Sequence, residues 1–332
     1  MSKKVPTTLH RVFSYTLITL LLGLFLLNLI AWRQADAMMT FADAGQRTKS
    51  PEALSLLEKI QLVFTGIHIP KTKNYLTPAH VELTYKTHLL TSIHGIQLEI
   101  WQIPHPAPTG IVVIGHGYSA AKQDSLLEAS IFHELGYEVV MLDFRGHGGS
   151  TGRRTSLGWY EANDLMAVVT FIRESTPNLP LILYGHSMGG AAILRAIAEL
   201  GLKPDAIIIE AVFGTMLQAV SNRFHAMGLP AFPSAHLLTF WGGVQQDLNS
   251  LAHAPIRYAR HVSCPTLVMQ GALDQRVTLA EAASIATNLP VANKQLLIFE
   301  QSSHSNIATT EPDKWAIAVA QFTAQTLQPV MD

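Results

Sequence analysis

The stretch LILYGHSMGGAAILRAIAEL, residues 181–200, decides the fold. Its first residues, Leu181–Tyr184, form a short apolar run that predicts a fully buried strand. The run Met188–Leu200 is too long for a strand and apolar nearly all round, so it predicts a buried helix. Ser187 therefore lies on a sharp strand-to-helix turn, with one glycine two residues before it and another two residues after it. We expect its hydroxyl to be held above the end of a sheet by a strained backbone.

Two interpretations of Ser187 are open at this point. If it is a nucleophile, the backbone amide of Met188 points into the same space and can stabilise an oxyanion. If it is only a turn residue, it caps the helix that follows. Because G-x-S-x-G is a short pattern, the rest of the chain has to decide between them.

After residue 80 the chain alternates between strand-like and helix-like segments. Alternating apolar residues at 81–90 and 96–103 predict an antiparallel hairpin. Further strands are predicted at 111–114, 138–142, 181–184, 206–209, 266–270 and 295–299, and helices at about 122–135, 159–174, 188–200, 279–288 and 312–327. This order predicts an α/β fold with a mostly parallel, doubly wound sheet, whose ligand site lies at the carboxyl ends of the strands.

Residues 213 to about 258 interrupt the alternation. Phenylalanine, tryptophan and methionine stand there among glycine and proline without a strand pattern, between two strands that should be neighbours. A long insertion at the carboxyl edge of such a sheet predicts a cap over the site.

A catalytic serine needs a base, and the base needs an orienting acid. QGALDQRV places Asp274 after one predicted strand, and FEQSSHSN places His304 after the next. The order Ser, Asp, His is the order of hydrolases that carry this serine turn. Glu210, at the end of the strand AIIIE, is the alternative acid. Asp274 is favoured because its loop is short and its side chain has fewer torsions to fix.

The segment VVIGHGYSA follows an early strand and predicts a second oxyanion donor. His116-Gly117 lets the backbone approach, which leaves the amide of Tyr118 facing the site. The same residues also fit G-x-G-x-x-A, with Asp143 as a ribose-binding acid, so a dinucleotide site is the competing hypothesis. It is disfavoured because a hairpin precedes the motif and a histidine in the turn would crowd a pyrophosphate.

No cofactor and no metal are expected. The glycine-rich LDFRGHGGS lacks the G-K-[ST] ending of a phosphate loop, and His116, His147 and His186 have no metal-ligand spacing. With a net charge of −1 and scattered basic residues, nucleic acid is not an expected partner. The single cysteine, Cys264, precedes a proline and an apolar run, which predicts a buried thiol.

The N-terminus carries FSYTLITLLLGLFLLNLIAW, Phe13–Trp32, an uncharged run long enough to cross a bilayer as a helix. Three basic residues precede it against a lone Arg33, which predicts a cytoplasmic N-terminus and an extracytoplasmic domain. A signal peptide cleaved near Ala37 is the alternative, but the run is longer than a usual signal peptide core. The predicted organisation is a basic tail at 1–12, a membrane span at 13–32, a connector at 33–80 and a catalytic domain at 81–330.

Taken together, these motifs resemble the α/β-hydrolase superfamily, near its monoacylglycerol-lipase-like and serine-aminopeptidase-like branch. The resemblance covers residues 80–327 and rests on the HG pair after the early strand, DFRGHGGS, GHSMGG, CPTLVMQGALDQRV and SSHS. It implies Ser187 as nucleophile, Asp274 as acid, His304 as base, and the amides of Tyr118 and Met188 as the oxyanion hole. Two departures are Ser303, where many relatives carry glycine, and Leu273, where many carry a second acid.

The expected function is a membrane-anchored serine hydrolase that cleaves carboxylic esters, lipid or acylglycerol in kind, through an acyl-enzyme. An aromatic-rich cap suits an acyl chain, which favours esters over amides. An acyltransferase or peptidase with the same three residues is an alternative, and so is a non-catalytic membrane interaction protein on the same scaffold.

Overall fold

A computed structural model describes residues 7–49, 54–304 and 307–326. In this part of the chain, eight strands form one sheet: β1 Lys86–Thr91, β2 Gln97–Ile103, β3 Gly110–Gly115, β4 Tyr137–Leu142, β5 Leu181–His186, β6 Ala206–Glu210, β7 Thr266–Gly271 and β8 Lys294–Phe299. Their order across the sheet is β1-β2-β4-β3-β5-β6-β7-β8. Strand β2 pairs antiparallel with both of its neighbours, β1 and β4. The six strands β3 to β8 are parallel to one another.

The helices are α1 Thr7–Met39, α2 Leu56–Thr65, α3 Leu126–Glu134, α4 Glu161–Ser175, α5 Met188–Leu200, α6 Met216–Ala226, α7 Ser234–Gln246, α8 Pro255–Tyr258, α9 Leu279–Asn288, α10 Ile307–Thr310 and α11 Pro312–Thr326. Buried residues of α4, α5 and α9 pack on one face of the sheet. Those of α3 and α11 pack on the other face. The predicted doubly wound α/β fold is therefore confirmed.

The central strands are buried along their whole length. Every residue of β3, β4, β6 and β7 is buried, as expected for parallel strands that helices cover on both faces. Because the carboxyl ends of these strands meet at one edge, the loops that follow β3, β5, β7 and β8 converge there.

The first hairpin begins later than predicted. Residues 78–81 form a short 3₁₀ helix instead of a strand, and β1 starts only at Lys86. Pro78 stands at the first turn of this helix, where its fixed φ and its missing N–H are tolerated. The prediction of a strand from residue 81 was therefore wrong, because the proline upstream favours a helical turn.

The interruption at 213–258 is helical. It contains α6, α7 and α8, and it lies between β6 and β7 at the carboxyl edge of the sheet. The N-terminal helix α1 continues past the predicted end of the span to Met39, and its last turns pack against α7. The segment that was predicted as a connector therefore begins inside a helix that contacts this insertion.

Candidate active site

Ser187 occupies a strained turn between β5 and α5. Its φ of 50° and ψ of −107° are unfavourable for a residue with a side chain. A Cβ on Gly185 would lie 2.5 Å from the backbone of Gly189, and a Cβ on Gly189 would lie 2.1 Å from the carbonyl oxygen of Gly115. Glycine is therefore required on both sides of the serine. The Ser187 amide donates to the carbonyl oxygen of Glu210 at 2.7 Å, which ties the turn to β6.

The structure brings Ser187, His304 and Asp274 together. The Oγ of Ser187 lies 3.3 Å from Nε2 of His304, and Nδ1 of His304 lies 2.8 Å from Oδ2 of Asp274. His304 follows β8 and Asp274 follows β7, so the three side chains come from three loops at one edge of the sheet. With its Nδ1 proton donated to the carboxylate, the imidazole presents an unprotonated Nε2 to the serine hydroxyl.

Asp274 is held by four donors. Its Oδ1 accepts from the backbone amides of Arg276 at 2.7 Å and Val277 at 2.9 Å, and its Oδ2 also accepts from Nε2 of Gln270 at 3.0 Å. Burial alone would raise the pKa of Asp274, but the hydrogen bonds from His304 and the two amides outweigh it, and the pKa is lowered. The carboxylate is therefore ionised at neutral pH and fixed in direction.

Glu210, the alternative acid, makes other contacts. Its Oε1 accepts from the amide of Ile307 at 2.9 Å. Its Oε2 accepts from the hydroxyl of Tyr184 at 3.0 Å and from Nε1 of Trp315 at 3.1 Å. Glu210 thus fastens α10 and α11 to the sheet just after the His304 loop, and its hydrogen bonds go to neighbours other than His304.

The loop after β3 approaches the serine turn closely. A Cβ on Gly117 would lie 2.6 Å from Nδ1 of His186, the residue before Ser187, so a side chain there would have to displace the His186 ring. His116 shapes this loop: its Nε2 accepts from the amide of Phe144 at 3.1 Å, and its Nδ1 lies 2.7 Å from the carbonyl oxygen of Gly117. Burial lowers the pKa of His116 to about 3, so the ring is neutral.

Tyr118 and Met188, whose amides are the expected oxyanion donors, lie in the loop after β3 and at the start of α5. Tyr118 lies directly after Gly117, and Met188 begins α5, where the first amides of a helix have no intrahelical acceptor. The loop and the helix start therefore face each other across the serine turn. Neither departure from the family pattern changes this: the side chain of Leu273 is 59% exposed, and Ser303 precedes His304 in an open loop.

Asp143 is unavailable to a ribose. Its side chain is fully buried and accepts from the ammonium of Lys122, from Asn74 at 2.6 Å and from the amide of Gly149 at 2.8 Å. It therefore organises the glycine-rich loop after β4. Within residues 7–49, 54–304 and 307–326, the structure contains no cluster of three or more His, Cys, Asp or Glu side chains that could hold a metal ion.

The sequence pattern did not reveal that Met38, Phe41 and Thr72 contact the loop after β3. The hydroxyl of Tyr118 donates to the carbonyl oxygen of Met38, and the ring of Phe41 packs against Tyr118 with centroids 5.9 Å apart. Thr72 Oγ1 donates to the carbonyl oxygen of Ala120 at 2.9 Å. These are contacts between residues far apart in sequence, and local periodicity carries no signal for them.

A small apolar cavity of about 30 Å³ lies between α1, α6 and α7. Met38, Met216, Val220 and Leu238 are among the residues that line it. Met38 therefore both lines this cavity and accepts the hydrogen bond of Tyr118 in the loop after β3.

Comparisons with known proteins agree with this fold. The family described as serine aminopeptidase S33 (Hydrolase_4) matches residues 106–253. The chain is 26% identical over 238 residues to the uncharacterized protein YqkD of Bacillus subtilis, covering 70% of this chain and 77% of that protein. It is 24% identical over 257 residues to a monoacylglycerol lipase of Mycolicibacterium smegmatis, covering 68% of this chain and 91% of that enzyme.

A shorter match is to the lysophosphatidylserine lipase ABHD12 of Danio rerio, 29% identical over 145 residues, which covers 42% of this chain and 36% of that protein. Among solved structures, the Pyrococcus furiosus esterase Pf2001 superposes with a TM-score of 0.67 and 19% identity, covering 78% of this chain and 97% of that one. An esterase from Exiguobacterium antarcticum superposes with a TM-score of 0.55 and 18% identity, covering 72% of this chain and 100% of that one. At these identities, the two superpositions establish the fold.

Proposed function

We propose that this chain, which belongs to the α/β-hydrolase superfamily, is a membrane-anchored serine hydrolase that cleaves carboxylic esters through an acyl-enzyme. The observation that carries the proposal is the hydrogen-bonded series from Ser187 through His304 to Asp274, with distances of 3.3 and 2.8 Å. Nucleophile, base and orienting acid in this geometry are the parts that acyl transfer requires.

In the proposed mechanism, Oγ of Ser187 attacks the ester carbonyl as its proton moves to Nε2 of His304. The carbonyl oxygen becomes an oxyanion, which the amides of Tyr118 and Met188 stabilise. Collapse of this intermediate breaks the ester C–O bond, and His304 returns the proton to the leaving alkoxide. Water then attacks the acyl-enzyme by the same route in reverse and releases the carboxylic acid. Asp274 stays ionised throughout and stabilises the imidazolium.

The proposed substrate carries an acyl chain. The side chains that α1, α6 and α7 present to one another, Met38, Met216, Val220 and Leu238 among them, are apolar, and an apolar insertion at this edge of the sheet favours hydrocarbon over a charged peptide. The names of two relatives, a monoacylglycerol lipase and a lysophosphatidylserine lipase, describe glycerol esters as the substrates of those proteins. A lipid or acylglycerol-like ester is the substrate class that both observations favour.

The proposed location is a membrane, with α1 as a single span. The helix is long and apolar, with a mean hydropathy of 2.1 in its most apolar window, and that window is exposed along its whole length. The basic residues before the span favour a cytoplasmic N-terminus and an active site on the extracytoplasmic side. Removal of α1 by cleavage near Ala37 is disfavoured, because Ala35 and Met39 are buried within a continuous helix.

Labelling with a fluorophosphonate probe tests the chemistry. We expect the purified wild-type protein to be labelled and the Ser187→Ala protein to remain unlabelled, with the same circular dichroism. The wild type should also hydrolyse p-nitrophenyl butyrate faster than an amino-acid p-nitroanilide. Absence of labelling in a folded wild-type protein, or labelling that survives Ser187→Ala, would remove Ser187 from the mechanism.

A further inference from the structure

The cap helix α7 is attached to the predicted membrane span itself. Nε1 of Trp241 donates to Oδ1 of Asn28 at 3.2 Å, and Nε2 of Gln245 donates to the carbonyl oxygen of Trp32 at 2.7 Å. Asn28 and Trp32 lie inside the apolar run 13–32. One turn and more of the span is therefore in contact with the cap.

The length of the free part of α1 makes this contact consequential. Arg11 marks the start of the apolar run, and the side chains from Val12 to Leu26 are exposed. These residues cover roughly 22 Å at about 1.5 Å per residue, whereas the hydrocarbon core of a bilayer is roughly 30 Å thick. The remaining length has to come from the turns around Asn28 and Trp32, which brings α7 to the level of the lipid.

The outer face of α7 is apolar where it would meet that lipid. His236, Phe240 and Val244 are exposed and recur at intervals of four residues, which places them in one stripe on the side of the helix that faces solvent. Phe232 lies just before the helix, and its ring packs against that of His236 with centroids 5.4 Å apart. Phe232 is 74% exposed, Phe240 47% and Val244 55%. Large apolar side chains at such exposure on a helix beside a membrane span are typical of an interfacial surface.

Helix α2 carries a second exposed apolar patch near the end of the span. Nε2 of Gln34 donates to the carbonyl oxygen of Leu62 at 2.6 Å, and the ammonium of Lys59 donates to the carbonyl oxygen of Met227 at 2.8 Å. These bonds tie α2 to α1, just beyond the end of the span, and to the cap at the end of α6. The same helix leaves an exposed apolar pair at its start, Leu56 and Leu57, at 71% and 80%.

We propose that the outer faces of α7 and α2 form, together with α1, a lipid-binding surface that inserts into the membrane–water interface. The occupant of this surface is the phospholipid bilayer, since the surface is continuous with the lipid-facing side of α1. The proposal rests on the membrane anchoring proposed above and is independent of the catalytic residues. It places α7 directly against the leaflet from which a lipid ester would come.

Depth-dependent quenching tests this surface in the full-length protein, reconstituted into phosphatidylcholine vesicles. A nitrobenzoxadiazole (NBD) label is attached to one introduced cysteine in each of three variants, Phe240→Cys, Leu24→Cys and Ile317→Cys. The native thiol of Cys264 does not compete, because burial raises its pKa to about 12. Ile317, 57% exposed on α11, is the matched apolar control on the opposite face of the sheet from α4 and α5.

We expect blue-shifted emission from the labels at Phe240 and Leu24, with loss of fluorescence when lipids carry a nitroxide. The label at Phe240 should respond most to a nitroxide at shallow depth, and the label at Ile317 should behave as in water. Equal thermal unfolding of the three variants excludes misfolding as the cause. These results would support the proposal.

Quenching at Leu24 without quenching at Phe240 would overturn the lipid-binding surface and leave the anchor in place. A blue shift at Phe240 that no nitroxide quenches would also overturn it, because a second protein copy then covers α7. An unquenched label at Leu24 would overturn both the anchor and the surface. Since none of these readings depends on hydrolysis, failure of the catalytic proposal remains separately detectable by the fluorophosphonate probe.

Discussion

Replacing Asp274 with asparagine changes one atom of the acid and should stop catalysis without unfolding the protein. Oδ1 of Asp274 accepts from two backbone amides, at 2.7 and 2.9 Å, so the asparagine oxygen is held at that position. The new amide NH₂ group then takes the place of Oδ2 and points at Nδ1 of His304. Two donors cannot face each other there, and the imidazole has to adopt the tautomer with its proton on Nε2.

That tautomer cannot accept the proton of Ser187. Nε2, 3.3 Å from the serine oxygen, becomes a donor where the mechanism needs a base. In a serine protease with the same arrangement, the equivalent change lowers kcat by about 10⁴. The same loss here corresponds to roughly 5.4 kcal/mol of transition-state stabilisation, at about 1.36 kcal/mol for each factor of ten. The NH₂ group also faces the donor of Gln270, so we expect a loss of stability of about 1–3 kcal/mol.

Glu210→Gln is the matched control, because it neutralises the buried carboxylate that is the alternative acid at the same edge of the sheet. All its hydrogen-bond partners, the amide of Ile307, the hydroxyl of Tyr184 and the indole of Trp315, are donors. The new NH₂ group must oppose at least one of them, which should cost about 1–3 kcal/mol of stability. We expect kcat to stay within about tenfold of wild type, since Glu210 does not orient the imidazole.

Steady-state hydrolysis of p-nitrophenyl butyrate and thermal unfolding, both in detergent, separate the two effects. A kcat of Asp274→Asn within about tenfold of wild type would refute the reasoning, because an imidazole that carries its proton on Nε2 cannot accept the proton of Ser187. If Glu210→Gln is instead inactive and unfolds at the wild-type temperature, then Glu210 is the catalytic acid and Asp274, in the loop after β7, is not.

Three further outcomes are expected. Gly189→Ala should lower the unfolding temperature sharply and abolish activity, because the new Cβ would lie 2.1 Å from the carbonyl oxygen of Gly115. An unfolding temperature equal to that of the wild type would contradict the geometry of the turn. Burial lowers the pKa of His116 to about 3 and of His253 to about 4, so the unfolded chain binds more protons below about 6.5. The free energy of unfolding in urea should therefore fall as pH drops from about 6.5 towards 4. His253→Gln should make this dependence on pH less steep. A variant with the same pH dependence as the wild type would mean that His253 is not held in its neutral form by burial. Mass spectrometry of the membrane fraction should find peptides from before Ala37, and protease added to spheroplasts should digest the domain, whereas a soluble protein starting near residue 38 would indicate a cleaved signal peptide.

The sequence predicts the sheet and its helices well where the pattern is local. The run before Ser187 reads as a strand and the run after it as a helix, and the structure places β5 and α5 there. The glycines flanking the serine follow from sterics at a tight turn, which neighbouring residues determine. The first hairpin was misjudged at residue 81 because a proline-initiated turn overrides the apolar alternation. The roles of the site residues remain predictions.

By itself, the sequence determined the order of the elements and therefore which loops could meet. Parallel strands bring their carboxyl ends to one edge, so a serine after β5, an aspartate after β7 and a histidine after β8 come near one another. It favoured Asp274 over Glu210 from the short loop and the fewer torsions, but both stand at strand ends on that edge, and only packing shows that Asp274 is the carboxylate that reaches His304. The attachment of α7 to α1 is likewise a tertiary result. The bond between Trp241 and Asn28 joins residues more than 200 positions apart, and such contacts form only when the chain has closed a long loop around a common core.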